Sequence, residues 1–197
     1  MAKQLSTRVL DWYGEKRSLT LYKLDDEKEI ASLTNIRQAQ AVTFLDPEHV
    51  VVYQHAKGHY GLPGGRIEEG ESPFQALERE VMEESACKVL QAGLVGYIED
   101  KPVVGVDASD AVQDLAPVGK EARGTVRHLL RYWALVELVE QAVADPDQKA
   151  IGREIIPVDE VAERLGWGEQ GEQLVELART GLKRFLTDQN KTDQKRA

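Results

Sequence analysis

The stretch Ser72 to Ser85, SPFQALEREVMEES, constrains the fold more than any other part of the chain. Ser72 is a natural N-cap, Pro73 suits the first helical position and Gln75 completes a capping box, so the sequence predicts a helix that starts here. Phe74, Leu77 and Val81 recur at helical spacing and form an apolar stripe. Glu80, Glu83 and Glu84 stand at i, i+3 and i+4 and project from another face. Seven glutamates fall between Glu68 and Glu84, and carboxylates three or four residues apart on a helix repel one another. One face to bury against a sheet and one face of carboxylates make a preorganised platform for a hard cation. Mg²⁺ takes oxygen ligands and bridges protein carboxylates to substrate phosphates. Taken alone, the three glutamates read more readily as a solvated helix face, and the Gly65, Glu71 and Arg79 spacing turns the balance to a metal site; Glu68, Glu69 and Glu78 read as surface charges.

Around this helix the pattern changes to strands. Ala41 to Leu45, a turn at Asp46 to His49, and Val50 to Tyr53 predict a hairpin. Val89 to Ile98 reads as a strand interrupted at Gly93 and Gly96, residues 99–124 as a long irregular segment, and His128 to Leu138 as a buried strand. A short apolar run at Ile155 to Val158 leads into a helix over Glu160 to Leu165. Leu174, Leu177, Ala178, Leu182 and Phe185 mark a second amphipathic helix before a frayed tail from residue 188 on. Residues 1–35 form an extension in which Ser18 to Leu24 alternates like a strand. It either adds strands to the sheet or forms a contact between two copies. This order predicts a layered α/β domain over residues 36–187 with a mixed sheet.

Composition narrows the function classes. A net charge of −9 argues against a general nucleic-acid or anionic-membrane surface, while leaving room for an anionic substrate held through cations. Cys87 is the single cysteine, which excludes an intrachain disulfide and a thiolate metal cluster; its apolar setting makes it a core filler. His49, His55, His59 and His128 lack zinc-site spacing. No apolar run reaches membrane-spanning length, and the expected location is cytoplasmic.

Upstream of the helix, Leu62-Pro63-Gly64-Gly65 allows a sharp turn whose carbonyls can serve as oxygen ligands. Gly65, five residues, Glu71, seven residues, then Arg79-Glu80-Val81-Met82-Glu83-Glu84 resembles the signature box of the Nudix hydrolase family. Ala86 stands where the family has glycine and Cys87 where it has an aliphatic residue. The glycine serves a left-handed helix exit, where alanine costs roughly 1 kcal/mol. The resemblance implies an α/β/α sandwich around a mixed sheet. It also implies Mg²⁺ or Mn²⁺ on Glu80, Glu83, Glu84 and the Gly65 carbonyl, with Arg79 and Glu71 as the pair that holds loop and helix together. The implied reaction is hydrolysis of a nucleoside diphosphate linked to another moiety, by water attack at phosphorus.

Lys57 and Arg66, flanking the box, are the favoured phosphate contacts, with Arg123, Arg127 and Arg131 as further candidates. Tyr60, Tyr97 and Trp167 are candidates to stack on a base. For activation of water the family uses a box glutamate or one on a later loop, here Glu121 or Glu154. Pro102 resembles a proline of ADP-ribose pyrophosphatases, yet ADP-ribose-like compounds, nucleoside triphosphates, dinucleoside polyphosphates and inositol pyrophosphates all stay open as substrates. A second reading is a non-catalytic Nudix module that senses a nucleotide or forms a partner interface.

Overall fold

The computed structural model describes residues 1–12, 15–103, 125–147 and 149–194. Nine strands form one mixed sheet: β1 (Lys3–Trp12), β2 (Glu15–Lys23), β3 (Ile36–Asp46), β4 (His49–His55), β5 (Tyr60–Gly61), β6 (Gly64–Arg66), β7 (Cys87–Pro102), β8 (Arg127–Leu138) and β9 (Ala150–Pro157). The order is β1-β2-β7-β8-β3-β4-β5, with β6 also on β3 and β9 also on β4. Only β3 and β8 run parallel among these pairs. Helices cover both faces: α1 (Pro73–Ser85) on one, α2 (Val161–Leu165) and α3 (Gly168–Gln194) on the other. The result is the three-layer α/β/α sandwich expected.

Period-two alternation divides the strand residues between two cores. Leu21, Val42, Phe44, Ile98 and Trp133 pack with Leu174, Ala178 and Leu182 of α3. Ala39, Ala41, Val51, Leu130 and Val136 pack with Leu77 and Val81 of α1. Phe74, assigned to that stripe from its spacing, is 41 % exposed instead. It sits in the first turn of α1, ahead of Leu77 and Val81, which are fully buried.

Three elements differ in extent from the sequence reading. β7 runs unbroken over 16 residues. Gly93 and Gly96 do not interrupt it, because a Cβ at Gly93 would meet the Trp133 indole and one at Gly96 would meet the Tyr22 carbonyl. They are points of close approach, with bulges beside them at Val89/Gln91 and Leu94/Gly96. The last helix continues through Gln194, beyond the start of the expected tail. Residues 3–23 form a hairpin paired to β7, so they add strands to the sheet. Arg17 fastens this hairpin: it is 1 % exposed, and its Nε donates to Asp100 Oδ1 at 2.5 Å. No helix among the described residues is long and apolar enough to cross a membrane.

Candidate active site

The capping box is formed as predicted: Gln75 N–H donates to Ser72 Oγ at 3.2 Å, and Ser72 N–H to Gln75 Oε1 at 2.9 Å. It fixes where α1 starts and hence which residues face the glycine turn. At the other end Ala86 adopts φ 48°, ψ 48°, the left-handed exit expected of a glycine. Arg153 clamps this exit, donating from Nη1 to the carbonyl oxygens of Ser85 (3.0 Å) and Ala86 (2.5 Å).

Between these ends, the turn and the helix meet through the glutamates. Gly64, at φ 146°, lies so close to β3 that a Cβ would sit 2.3 Å from Gln40 Cα, so no side chain fits. Its N–H donates to Glu84 Oε2 at 2.9 Å. A Cβ on Gly65 would fall 2.2 Å from Glu80 Oε1, so the turn's backbone rests directly on that carboxylate. Arg79 is the hub. Its Nε donates to Glu71 Oε1 at 2.8 Å and its Nη1 to Glu80 and Glu83 at 3.0 and 3.2 Å. Its Nη2 reaches Glu71 Oε2 (3.1 Å) and the Arg66 carbonyl (2.9 Å). One guanidinium thus bonds three carboxylates, offsets part of their charge and ties the loop to the helix. Glu68, Glu69 and Glu78 are exposed, as expected.

Burial sets the protonation behaviour. Glu84 is 7 % exposed, and desolvation pushes its pKa up to about 8, against the lowering effect of the Gly64 N–H. Glu80 is raised for the same first reason and held back by Arg79. Glu71 is lowered, chiefly by its hydrogen bond from Arg79, whose own pKa rises through that bond.

A cation is the natural neutraliser of what Arg79 leaves over. Glu80, Glu84 and the Gly64–Gly65 backbone offer oxygen donors only, a set that fits Mg²⁺ or Mn²⁺ and not a soft metal. Among the described residues no three acidic, histidine or cysteine side chains are drawn tight enough to enclose an ion. Glu83 and Glu80 are instead turned to Arg79.

The glutamates form one wall of a cavity of about 1040 Å³. Arg66, Arg127, Arg131 and Trp167 line it too, as do Arg8, Tyr53, Asp145 and Lys149, which the sequence did not single out, and His55 and His59, which lack zinc-site spacing. Asp145 carries the turn before β9: it accepts from the N–H groups of Asp147, Lys149 and Ala150 at 2.7–2.8 Å. Its charge adds to the rise at Glu84. No local motif marks Asp145 or Lys149; only sheet topology brings them here.

Other candidates lie elsewhere. Lys57 is exposed and outside the cavity lining. Glu154 is likewise outside it, held by Tyr60 Oη (2.7 Å), Gln54 (3.3 Å) and Arg164 (3.5 Å). Register explains this: Tyr53, which lines the cavity, pairs with Arg153, so the next residue, Glu154, faces the opposite side of the sheet. Glu121 and Arg123 fall outside the described residues. Tyr97 is buried and stacked on Tyr22 at 4.9 Å, and Tyr60 lies under Arg164 at 5.2 Å.

A family profile described as the NUDIX domain matches residues 35–177. No curated protein matches the sequence. Solved structures do. A mutant of the Bacillus subtilis pyrophosphohydrolase BsRppH aligns with TM-score 0.51 and 18% identity over 77% of each chain. A structure described as an ADP compounds hydrolase aligns with TM-score 0.50 and 13% identity over 92% of this chain and 94% of that one. A NUDIX hydrolase from Nitrosomonas europaea gives 0.49 and 21% over 75% and 90%. At these identities the likeness concerns the fold.

Proposed function

Because the chain belongs to the NUDIX family, we propose that it is a metal-dependent pyrophosphohydrolase cleaving a nucleoside diphosphate linked to another moiety. The observation that carries this reading is the contact between the glycine turn and the carboxylate face. Gly64 N–H binds Glu84, Gly65 rests on Glu80, and Arg79 ties Glu80 and the Arg66 carbonyl to Glu71.

Glu80, Glu83, Glu84 and the Gly65 carbonyl would hold Mg²⁺ or Mn²⁺, which supplies Lewis-acid polarisation of the phosphoryl oxygens and lowers the pKa of a bound water. The chain's own contribution is positioning. Gly64 N–H fixes the rotation of the Glu84 carboxyl, and Arg79 aligns Glu80 and Glu83 while neutralising part of their charge. Arg66 and Lys149 line the same cavity and offer cationic contacts to the diphosphate. The substrate class spans ADP-ribose-like compounds, nucleoside triphosphates and dinucleoside polyphosphates.

The experiment is a screen of nucleoside diphosphate derivatives with product masses read in Mg²⁺, in Mn²⁺ and in excess chelator. Turnover is expected only with metal and is expected to fall at least about a hundredfold in Glu84→Gln. Full activity in chelator, or in that variant, refutes the proposal.

A further inference from the structure

The cavity has two ends of opposite charge. One end carries Glu80, Glu83, Glu84 and Asp145 with Arg79 and Lys149; the other carries Arg8, Arg127 and Arg131 with Asp100. The ends are close. Gln40 of β3 pairs with Gly64 on one side and with Arg131 on the other, which puts the Arg131 backbone two strand spacings, about 10 Å, from the glycine turn.

Arg131 is the anomaly in this end. It is 4 % exposed, yet it has no carboxylate partner among the described residues. Nη1 donates to Gln38 Oε1 at 3.2 Å and to the Leu130 carbonyl at 3.0 Å, and Nε donates to nothing described. Burial lowers its pKa, and repulsion from another cation, Arg8, lowers it further. Arg8 lies over the Trp167 ring at 4.9 Å, and its Nε is also without a described partner. Asp100, in the same lining, accepts from Arg17 through Oδ1 at 2.5 Å, while its Oδ2 has no described hydrogen-bond partner and stands 4.0 Å from Arg127. Buried charge is retained in proteins when it is paired or when something else pairs with it in use. Two desolvated guanidiniums, Arg8 and Arg131, face one cavity with no carboxylate paired to either among the described residues, an arrangement that is unfavourable until an anion enters. Arginine suits a phosphoryl group in particular, because its planar fork donates in parallel to two oxygens.

We propose that Arg8, Arg127 and Arg131 bind a second phosphoryl group of the substrate, remote from the diphosphate at the glutamate end. The proposal rests on the pyrophosphohydrolase reading for the identity of the cavity, and its first test does not depend on turnover. The substrate is then a nucleoside diphosphate derivative with a further phosphate about one nucleoside-length away. Arg8 enters from β1, outside the region that matches the family profile, so the N-terminal hairpin is part of the binding site.

The first measurement is calorimetric titration of inorganic pyrophosphate in excess chelator into wild type, Arg131→Gln, Arg8→Gln and Glu84→Gln. Binding is expected in wild type and Glu84→Gln, weakened about tenfold or more in each arginine variant. Arg8→Gln, at a half-buried site on the hairpin, reports even if Arg131→Gln folds poorly. Absence of metal-free binding in wild type, or equal binding in both arginine variants, overturns the proposal. The second measurement uses matched pairs in Mg²⁺: NADPH against NADH, and ADP-ribose 2′-phosphate against ADP-ribose. Wild type is expected to favour the phosphorylated member about tenfold in kcat/KM, through KM, and the arginine variants to bring that ratio to about one. Pyrophosphate that shifts the rate of both members equally identifies a free-anion effector site and overturns the substrate assignment. Metal-free binding with no turnover of any compound supports the anion site while refuting the pyrophosphohydrolase reading.

Discussion

Replacing Glu84 with glutamine should make the metal-free protein more stable at alkaline pH, even as it removes the proposed activity. Burial raises the Glu84 pKa from 4.5 to about 8. The native carboxyl therefore keeps its proton where the unfolded one has lost it, and the native state binds more protons between pH 4.5 and about 8. Stability falls as pH rises through that window. At 1.36 kcal/mol per unit, a rise of about 3.5 units corresponds to about 5 kcal/mol of destabilisation once pH exceeds 8. Glutamine has nearly the same shape, keeps an oxygen to accept from Gly64 N–H, and carries no charge. Urea denaturation in chelator should show Glu84→Gln more stable than wild type by about 2 to 5 kcal/mol at pH 8.5 and nearly equal at pH 5. Mg²⁺ should stabilise wild type increasingly with pH and leave the variant almost unmoved. A variant no more stable than wild type at pH 8.5, or a difference independent of pH, refutes the assignment of Glu84 as a desolvated carboxylate.

Other substitutions read other parts of the same device. Ala86→Gly relieves the left-handed φ of 48° at the loss of one buried methyl, and should raise stability by about 0.5 to 1 kcal/mol in equilibrium denaturation. A fall instead would show that Arg153 has already relaxed the exit. Arg79→Ala removes hydrogen bonds to Glu71, Glu80, Glu83 and the Arg66 carbonyl; a loss of about 1 to 3 kcal/mol is expected in chelator, partly restored by Mg²⁺. Deleting residues 1–24 strips Arg17 from Asp100, which is 1 % exposed, and bares the β7 edge. A cost of about 3 to 5 kcal/mol, or aggregation on size-exclusion chromatography, should follow. Unchanged stability would contradict the structural role of the hairpin.

What the sequence discloses here is what short-range chemistry controls. The capping box and the helix it starts were readable from the residues themselves, while the left-handed exit at Ala86 and the Arg79–Glu71 pair came from the resemblance to the Nudix box. Gly93 and Gly96 misled for a physical reason: as local signals they break strands, but their meaning lies in Trp133 and in the Tyr22 carbonyl, far along the chain. Phe74 had the right spacing for burial yet is exposed: it stands in the first turn of α1, and burial begins at Ala76 and Leu77. The glutamate end of the cavity was legible, whereas Arg8, Asp145 and Lys149 reach it only through strand order. Arg131 left a trace: a charged residue inside the apolar run HLLRYWALVEL, more notable than its rank among the candidate arginines suggested.

The hairpin of residues 3–23 has one more consequence. The helix with its glutamates and the strand with Arg8 are separate stretches of chain, one inside the region shared with the family and one before it. On the proposal above, one of the three arginines of the anion end, Arg8, comes from outside the family region, while Arg127 and Arg131 come from within it. Grafting the leading strands of another family member onto residues 25–197 would then retune the anion end through one residue and leave the glutamate helix untouched.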